Sequence, residues 1–447
     1  MLAEESDLAT IYQRPAELLQ RLVRFDTTNP PGNERACVEF IRDVLAAQGI
    51  ISELLARDPQ RPNLIARLPG RGDAPALLLQ GHVDVVPVAG QQWTHPPFAA
   101  EVHDGCIWGR GTLDMKGGVA MMLAALLRAK AEGMVPTGDV VFCALVDEEN
   151  GSADGSGFLT TQHADRFAGV RYALGEFGGF TLYAAGKRCY PIMVAEKQAV
   201  EVRATIRGRG GHAAFPVRGE ATAKLARFLR KLDRRRLPVH ITPVPRQMIE
   251  MLAGVLPRTQ GMLLRRLLTP ALTDRVLDLL GPLGANFDNL LHNTAVPTVI
   301  RGGEKNNVVP SEITVELDCR VLSGFTAEHV LAELRALAGP EVEFEVLRAH
   351  LTPAATPDMG LFDTLAGILK DADSDGTPLP YMLGAVTDGY FFSQLGIQTY
   401  GFLPMQLPPG WSVPALAHAA DERIPVEAMD FGANAIFEVL RRYGTAR

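Results

Sequence analysis

The sequence predicts an α/β protein whose buried sheet is interrupted by a second, α+β domain. Three observations carry this. Short, nearly continuous apolar runs alternate with helical patterns over the first 190 or so residues. After about Ala195 the pattern changes to strict apolar/polar alternation, and after about Thr356 helix and strand signals return. Continuous apolar runs suit strands covered on both faces, whereas alternation suits a half-solvated strand.

Each element has its own reason. Pro15 opens a helix that sets Leu18, Leu19, Leu22 and Val23 on one face. The run DTTNPPGNE is a loop, and Ala36, Phe40, Ile41, Val44 and Leu45 repeat the helical spacing up to Gly49. Residues 64–68, 76–79, 140–146 and 172–174 read as strands, with a helix over 115–131. VEVRATIRG, ITVELDCRVL and VEFEVLRA alternate as half-exposed strands, with a helix over 221–232. The Leu- and Pro-rich stretch 241–291 reads as a helical insertion, and the chain ends with a short strand at 398–402 and a helix over 427–442. The expected organisation is therefore a discontinuous first domain, 1–194 and 352–447, interrupted by a second at 195–351.

Composition excludes several classes. The 447 residues include 43 Gly and 31 Pro, with 47% hydrophobic and 21% charged, which is ordinary globular usage. A net charge of −7 with scattered Lys and Arg argues against a nucleic-acid partner. The five Cys lie far apart, so neither a disulfide framework nor a zinc knuckle is expected. The acidic N-terminus has no apolar signal core, and the longest apolar stretches are too short to span a bilayer. A soluble cytoplasmic protein, with no membrane partner, is the expectation.

The chemistry gathers just past the apolar runs. LLLQ leads to Gly81-His82-Val83-Asp84, VVFCALV to Asp147-Glu148-Glu149-Asn150, and YAL to Gly175-Glu176. GRGTL leads to Asp114 at a helix start, and His418 lies in HAADE. Ligands of open α/β sheets bind beyond the carboxyl ends of the strands. Two His with several carboxylates suit a divalent transition metal, Zn²⁺ above all. The donors exceed what one catalytic zinc needs, which leaves two metals, or one metal and a general base. Taken singly, each cluster has an ordinary structural reading as a hydrogen-bonded pair, a helix cap or a solvated loop.

GHVDVVP, WGRGTLDMKGG, DEENGS and HAADE together closely resemble the di-zinc metallopeptidase family of aminoacylase, carboxypeptidase G, carboxypeptidase S and succinyl-diaminopimelate desuccinylase. The resemblance implies a mixed-sheet zinc-peptidase domain interrupted by a smaller lid and dimerisation domain. It makes His82 a ligand of one zinc, His418 a ligand of the other, Asp114 the bridging carboxylate, and Glu149 and Glu176 the remaining ligands. Glu148 resembles the general base, and Asp84 the acid that holds the His82 tautomer. The bond Asp114–Met115 is expected to be cis. GRGGHAAFP resembles a turn whose His, here His212, reaches the substrate oxyanion, and Asn307 of GGEKNNVVP fits a substrate-contacting Asn. Plain turn roles for Gly208–Gly211 and Asn307 stay open.

One departure is visible. Many relatives carry Arg in a T-D-x-R stretch, where it clamps a substrate carboxylate; here the position is Tyr390. Tyr supplies a hydrogen bond but no charge, so Arg301 or Lys305 are alternative cations. The resemblance implies hydrolysis of an amide in a small peptide or N-acylated amino acid, with two zinc ions (Co or Mn being alternatives), in a homodimer. Hydrolysis of another amide or carbamate, or a non-catalytic metal-bound binding role, are the rival readings. The 241–291 insertion is read as a helical face packed on its own domain or on a dimer partner, with a lid that accepts apolar peptides or acyl chains as the alternative.

Overall fold

The computed structural model describes residues 7–215, 218–350 and 356–445. It is a mixed α/β protein. The chain runs α1 (Pro15–Val23), α2 (Arg35–Ala47), β1 (Ser52–Leu55), β2 (Asn63–Leu68), β3 (Ala76–His82), β4 (Val102–His103) and β5 (Cys106–Trp108). It continues with α3 (Lys116–Ala131), β6 (Val140–Leu145), α4 (Ser156–Gln162), β7 (Val170–Gly175), β8 (Leu182–Ala184), β9 (Lys187–Glu196), β10 (Gln198–Arg207) and β11 (Gly211–His212). Next come α5 (Ala221–Arg234), α6 (Pro243–Val255), α7 (Arg258–Arg265), α8 (Pro270–Leu280), α9 (Pro282–Leu291), β12 (Thr294–Arg301), β13 (Val308–Val309), β14 (Glu312–Val321), α10 (Ala327–Ala338) and β15 (Val342–Ala349). The last part holds α11 (Phe362–Ala372), β16 (Thr377–Leu383), α12 (Gly389–Ser393), β17 (Gln398–Gly401), α13 (Val413–Leu416), β18 (Arg423–Pro425) and α14 (Val426–Arg442).

The chain divides into two compact units. One comprises Met1–Val194, Asp358–Tyr381 and Thr387–Arg447; the other Ala195–Pro357 and Met382–Val386. The boundary expected at 351/352 falls outside the described residues. Met382–Val386, assigned from sequence to the first domain, belongs with the second. A main-chain bond from Lys197 N–H to the Leu383 carbonyl (2.9 Å) helps hold it there.

In the first unit the strand order is β1-β2-β6-β3-β7-β17-β9-β16, with β8 beside β9. Strands β6, β3, β7 and β17 are parallel neighbours, so their carboxyl ends share one edge. One face packs Leu78, Val141, Leu145, Phe158, Leu159 and Phe392 into a core. Helix α3 is buried nearly all round. Its Gly117, Gly118, Ala120, Ala124 and Ala125 let it lie close to its neighbours, including α1 and α14.

The second unit holds the antiparallel sheet β12-β14-β10-β15. Its strands bury alternate residues, such as Val200, Val202, Ala204 and Ile206, against Phe228 of α5 and Val330, Leu331 and Leu334 of α10. The 241–291 insertion forms α6 to α9, with Pro at the first turn of α6, α8 and α9. Its Met248, Ile249, Leu252, Leu264 and Leu267 are buried, while Met262, Leu279 and Leu283 are exposed.

Candidate metal centre

His82 is the last residue of β3 and is 1% exposed. Glu148 and Glu149 form a single 3₁₀ turn just past β6, and Glu176 follows β7. Three adjacent parallel strands thus deliver three sets of ligand-type side chains to one edge, as open α/β sheets do. Asp114 comes from the turn before α3. A Cβ on Gly117 would lie 2.2 Å from the Thr112 carbonyl, so the helix's first turn can sit this close to that turn only with glycine. The bond Asp114–Met115 is cis.

The side chains converge. Asp114 Oδ1 lies 3.2 Å from His82 Nε2, and its Oδ2 lies 3.1 Å from His418 Nε2. Glu149 Oε1 is 3.2 Å from His418 Nε2, Glu176 Oε2 is 3.7 Å from His82 Nε2, and Glu148 Oε2 is 4.0 Å from the same nitrogen. Two triads result, His82–Asp114–Glu176 and Asp114–Glu149–His418, each with donor atoms within 4.8 Å of one another. They share Asp114, one oxygen toward each. A further grouping joins His82, Glu148 and Glu149.

The cluster's charge is unbalanced. Burial pushes the Glu176 carboxyl up to about 8 and carries Glu148 well above the usual range, with Glu176 beside it adding to the effect. Burial also raises Glu149. The neighbouring carboxylates of Asp114 and Glu149 lift His418 to about 10. Burial opposes ionisation of Asp114, but His418 and His82 prevail and hold it well below the usual carboxylate range. Four carboxylates face two imidazoles, and Glu149 Oε1 is buried without an aligned hydrogen-bond donor. This donor set fits divalent metal ions, which would supply the missing positive charge.

Residues behind the cluster fix it. His82 Nδ1 lies 3.0 Å from the backbone carbonyl of Asp84 and 3.6 Å from its Oδ1, so the carbonyl is the closer acceptor. The Asp84 carboxylate instead accepts the backbone N–H groups of Glu148 (3.2 Å) and Glu149 (3.1 Å) and the Asn29 amide (2.8 Å). Asp147 sits at φ 67°, a left-handed backbone uncommon outside glycine. It is held by Arg61 (2.9 Å), Asn29 (3.1 Å) and the N–H of Asp154 (3.0 Å). Arg61 also forks onto buried Glu34, with Nη2 2.6 Å from Oε1 and Nε 3.0 Å from Oε2. Asp388 Oδ1 accepts the hydroxyls of Ser152 (2.8 Å) and Ser156, anchoring the segment that follows Glu149.

His418 also has positive φ, 63°. Its carbonyl accepts from Gln91 Nε2 (2.8 Å) and Arg110 Nη2 (3.2 Å). Buried Arg110 pairs with buried Glu422 at 2.6 Å, and Glu422 Oε1 accepts the N–H groups of Leu113 (2.7 Å) and Asp114 (3.2 Å). This pair ties the His418 loop to the Asp114 turn. Arg110 and Glu422 lie inside the motifs WGRGTLDMKGG and HAADE, but those motifs give no sign that the two residues meet. Asn29, Glu34 and Arg61 carry no such signal.

Seven of the sequence-predicted site residues meet here: His82, Asp84, Asp114, Glu148, Glu149, Glu176 and His418. His212 and Asn307 belong to the second unit. There β11 pairs with β13, and Ala213 N–H donates to the Asn307 carbonyl at 3.0 Å, so these two are neighbours. His212 is exposed, and its Nδ1 accepts the N–H of Ala214 at 3.1 Å. Pro216, the end of the GRGGHAAFP run, lies outside the described residues. Arg301 is 71% exposed, its nearest acid being Glu316 at 3.9 Å, and Lys305 is exposed. Tyr390 is buried in α12, its ring 4.9 Å from that of Phe391.

Comparison with known proteins agrees with this geometry. The chain is 30% identical to succinyl-diaminopimelate desuccinylase of Methylobacterium radiotolerans over 387 residues, covering 84% of this chain and 85% of that one. It is 26% identical to probable carboxypeptidase S-like 2 of Dictyostelium discoideum over 368 residues, covering 78% of this chain and 68% of that one. In fold it resembles the M20 family metallo-carboxypeptidase Sso-CP2 of Sulfolobus solfataricus, with a TM-score of 0.69 at 16% identity, over 96% of this chain and 99% of that one. Among the described residues no helix is long and apolar enough to cross a membrane. Residues 78–442 match the profile of peptidase family M20/M25/M40. The chain belongs to that family and is a hydrolase acting on amide or peptide bonds.

Proposed function

We propose that the chain is a two-zinc amidohydrolase of small peptides or N-acylated amino acids. In this reading His82, Asp114, Glu149, Glu176 and His418 hold the metals and Glu148 is the general base. The observation that carries it is the division of Asp114, with one oxygen 3.2 Å from His82 and the other 3.1 Å from His418. Bound zinc would act as a Lewis acid toward the amide carbonyl and acidify water to a pKa near about 7.

The chain's own groups do the rest. Glu148 takes the proton of the attacking water and returns it to the leaving amine, a role that requires hydrogen-bond reach to both. Its carboxylate groups with His82 and Glu149 but stands outside both Asp114 triads, and that placement supports the role. Asp114, between the two imidazoles, would keep both metals in register. His212 and Asn307 are assigned to substrate contact, His212 as donor to the oxyanion. Their adjacency on the β11/β13 ribbon supports a joint role.

Two further parts belong to the proposal. A homodimer is supported by β12, an edge strand with Val296 and Ile300 exposed. A reducing, cytoplasmic setting is supported by the five free, buried cysteines. A second reading of the substrate rests on buried Tyr390, which offers no cation for a free carboxylate; in that reading the substrate is another amide or a carbamate.

The test combines metal content with a panel of dipeptides, N-acyl amino acids and their carboxyl-amidated forms, with and without chelator. Glu148→Gln should keep about two metals per chain and lose turnover by about 10²–10⁴-fold. Near-wild-type turnover in that variant would remove Glu148 from the mechanism. Equal cleavage of free and amidated substrates would favour the second reading of the substrate.

A further inference from the structure

We propose that His95, Glu101 and His103 form a separate site for one divalent transition-metal ion on the surface of the first unit. The site shares no residue with the acidic cluster described above. His103 Nε2 lies 2.8 Å from Glu101 Oε2, and His95 Nδ1 lies 3.5 Å from the same oxygen. All three donor atoms lie within 4.8 Å of one another. Donors at about 2.0–2.1 Å from a tetrahedral zinc stand roughly 3.3–3.4 Å apart. The two separations fall on either side of that value, and since two imidazoles on one ion cannot stay face to face, binding also turns the rings apart.

Packing gathers the three residues before any ion binds. The His95 and His103 rings stack at 3.8 Å with 12° between their planes. Trp108 meets His95 edge-on at 4.7 Å, and its indole N–H donates to the His103 carbonyl at 3.1 Å. Glu101 and His103 are two residues apart on extended chain, which puts both side chains on one side. The backbone there is fixed by the bond from Trp108 N–H to the Glu101 carbonyl, 2.9 Å. Two imidazoles and one carboxylate select zinc, copper or nickel over magnesium or calcium. The side chains are 22%, 45% and 42% exposed in sequence order, leaving room for water to complete the coordination.

The position gives such an ion something to hold. Thr94, next to His95, donates its N–H (2.7 Å) and hydroxyl (2.8 Å) to Asp421. Gln91 donates to the His418 carbonyl at 2.8 Å. An ion on His95, Glu101 and His103 therefore staples β4 to the segment that grips the His418 loop.

The experiment uses the full chain with its acidic cluster saturated, dialysed against micromolar free Zn²⁺, with metal per chain counted by mass spectrometry. His103→Ala and His95→Ala should each bind one equivalent fewer than wild type and melt like it without added zinc. Cu²⁺ placed at the extra site should show two nitrogen couplings in its electron paramagnetic resonance spectrum, reduced to one in His103→Ala. Equal metal counts in wild type and His103→Ala would overturn the proposal, as would an added equivalent that shows no nitrogen coupling. The count is a difference between two proteins, so it reads the same whether or not the acidic cluster proves to be a two-zinc centre.

Discussion

The carboxylate of Asp84 accepts the backbone N–H of Glu149 at 3.1 Å. With the matching bond to Glu148 N–H at 3.2 Å, it fastens the turn after β6 to the end of β3. The acid that follows His82 therefore does more than orient the imidazole, whose Nδ1 is closer to a backbone carbonyl. Asp84→Asn keeps the shape but turns an amide donor toward at least one of the three N–H groups that the carboxylate accepts. Turnover and metal affinity should each fall by about 10–100-fold. The ¹⁵N shifts of His82 should still report a protonated Nδ1. A tautomer change in the variant would return the orienting role to the carboxylate.

Glu422 joins the His418 loop to the Asp114 turn through Arg110 and two backbone N–H groups. Its carboxyl is held above the usual carboxylate range by burial, which outweighs the pull of Arg110. Glu422→Gln leaves Arg110 charged and buried beside a neutral amide, and weakens three charge-assisted hydrogen bonds at once. The metal on the His418 side should be lost first on chelator titration, with affinity down by about 10–100-fold. Loss of both metals together would mean the loop serves the whole centre.

Arg61 lies between buried Glu34 and Asp147, 2.6 Å and 2.9 Å away respectively. Removing one partner of a buried ionic network leaves uncompensated charge and costs about 3–5 kcal/mol. Arg61→Met should lose stability on that scale in urea denaturation of the first unit. It should also lower kcat more than KM, because Asp147 directly precedes the proposed base. Arg61→Lys should recover only part of both, since an ammonium cannot fork onto Glu34. Full recovery by lysine would show that charge alone matters there.

Much of this was legible in sequence, and what was missed has physical causes. The strands carrying His82, Glu148 and Glu176 are short apolar runs buried on both faces, which composition alone marks. The long strands β9, β12 and β16 were not expected. Each contains proline (Pro191, Pro297, and Pro378 with Pro380), which argues against a strand when read locally. β12 and β16 end their sheets, where a missing N–H is tolerated. The cluster's own residues follow strand ends and could be listed. Arg61, Glu34 and Asn29 could not, because their pairing depends on segments meeting across 27 to 118 residues of chain, as Arg61 does with Glu34 and Asn29 with Asp147.

Lys197 gives the pH dependence with the clearest sign. It is 1% exposed, and its Nζ donates to the carbonyls of Asn289 (2.8 Å) and His292 (2.9 Å), fixing the end of α9. Burial, with Arg320 adding to it, drives its ammonium down to about 7. The unfolded lysine titrates near about 10.4. Between those values the unfolded chain holds a proton that the folded chain has shed. Stability from this group therefore rises with pH through that window, and below it the charged lysine is a constant penalty. From pH 7 to pH 9 the gain is about 2 kcal/mol. Lys197→Met lacks the proton, so the stability difference between wild type and variant should shift in favour of wild type by that amount. Urea denaturation of both proteins at the two pH values measures it, with other groups cancelling in the difference. A difference independent of pH would mean Lys197 stays charged in the fold, its two carbonyl acceptors being enough to hold the ammonium.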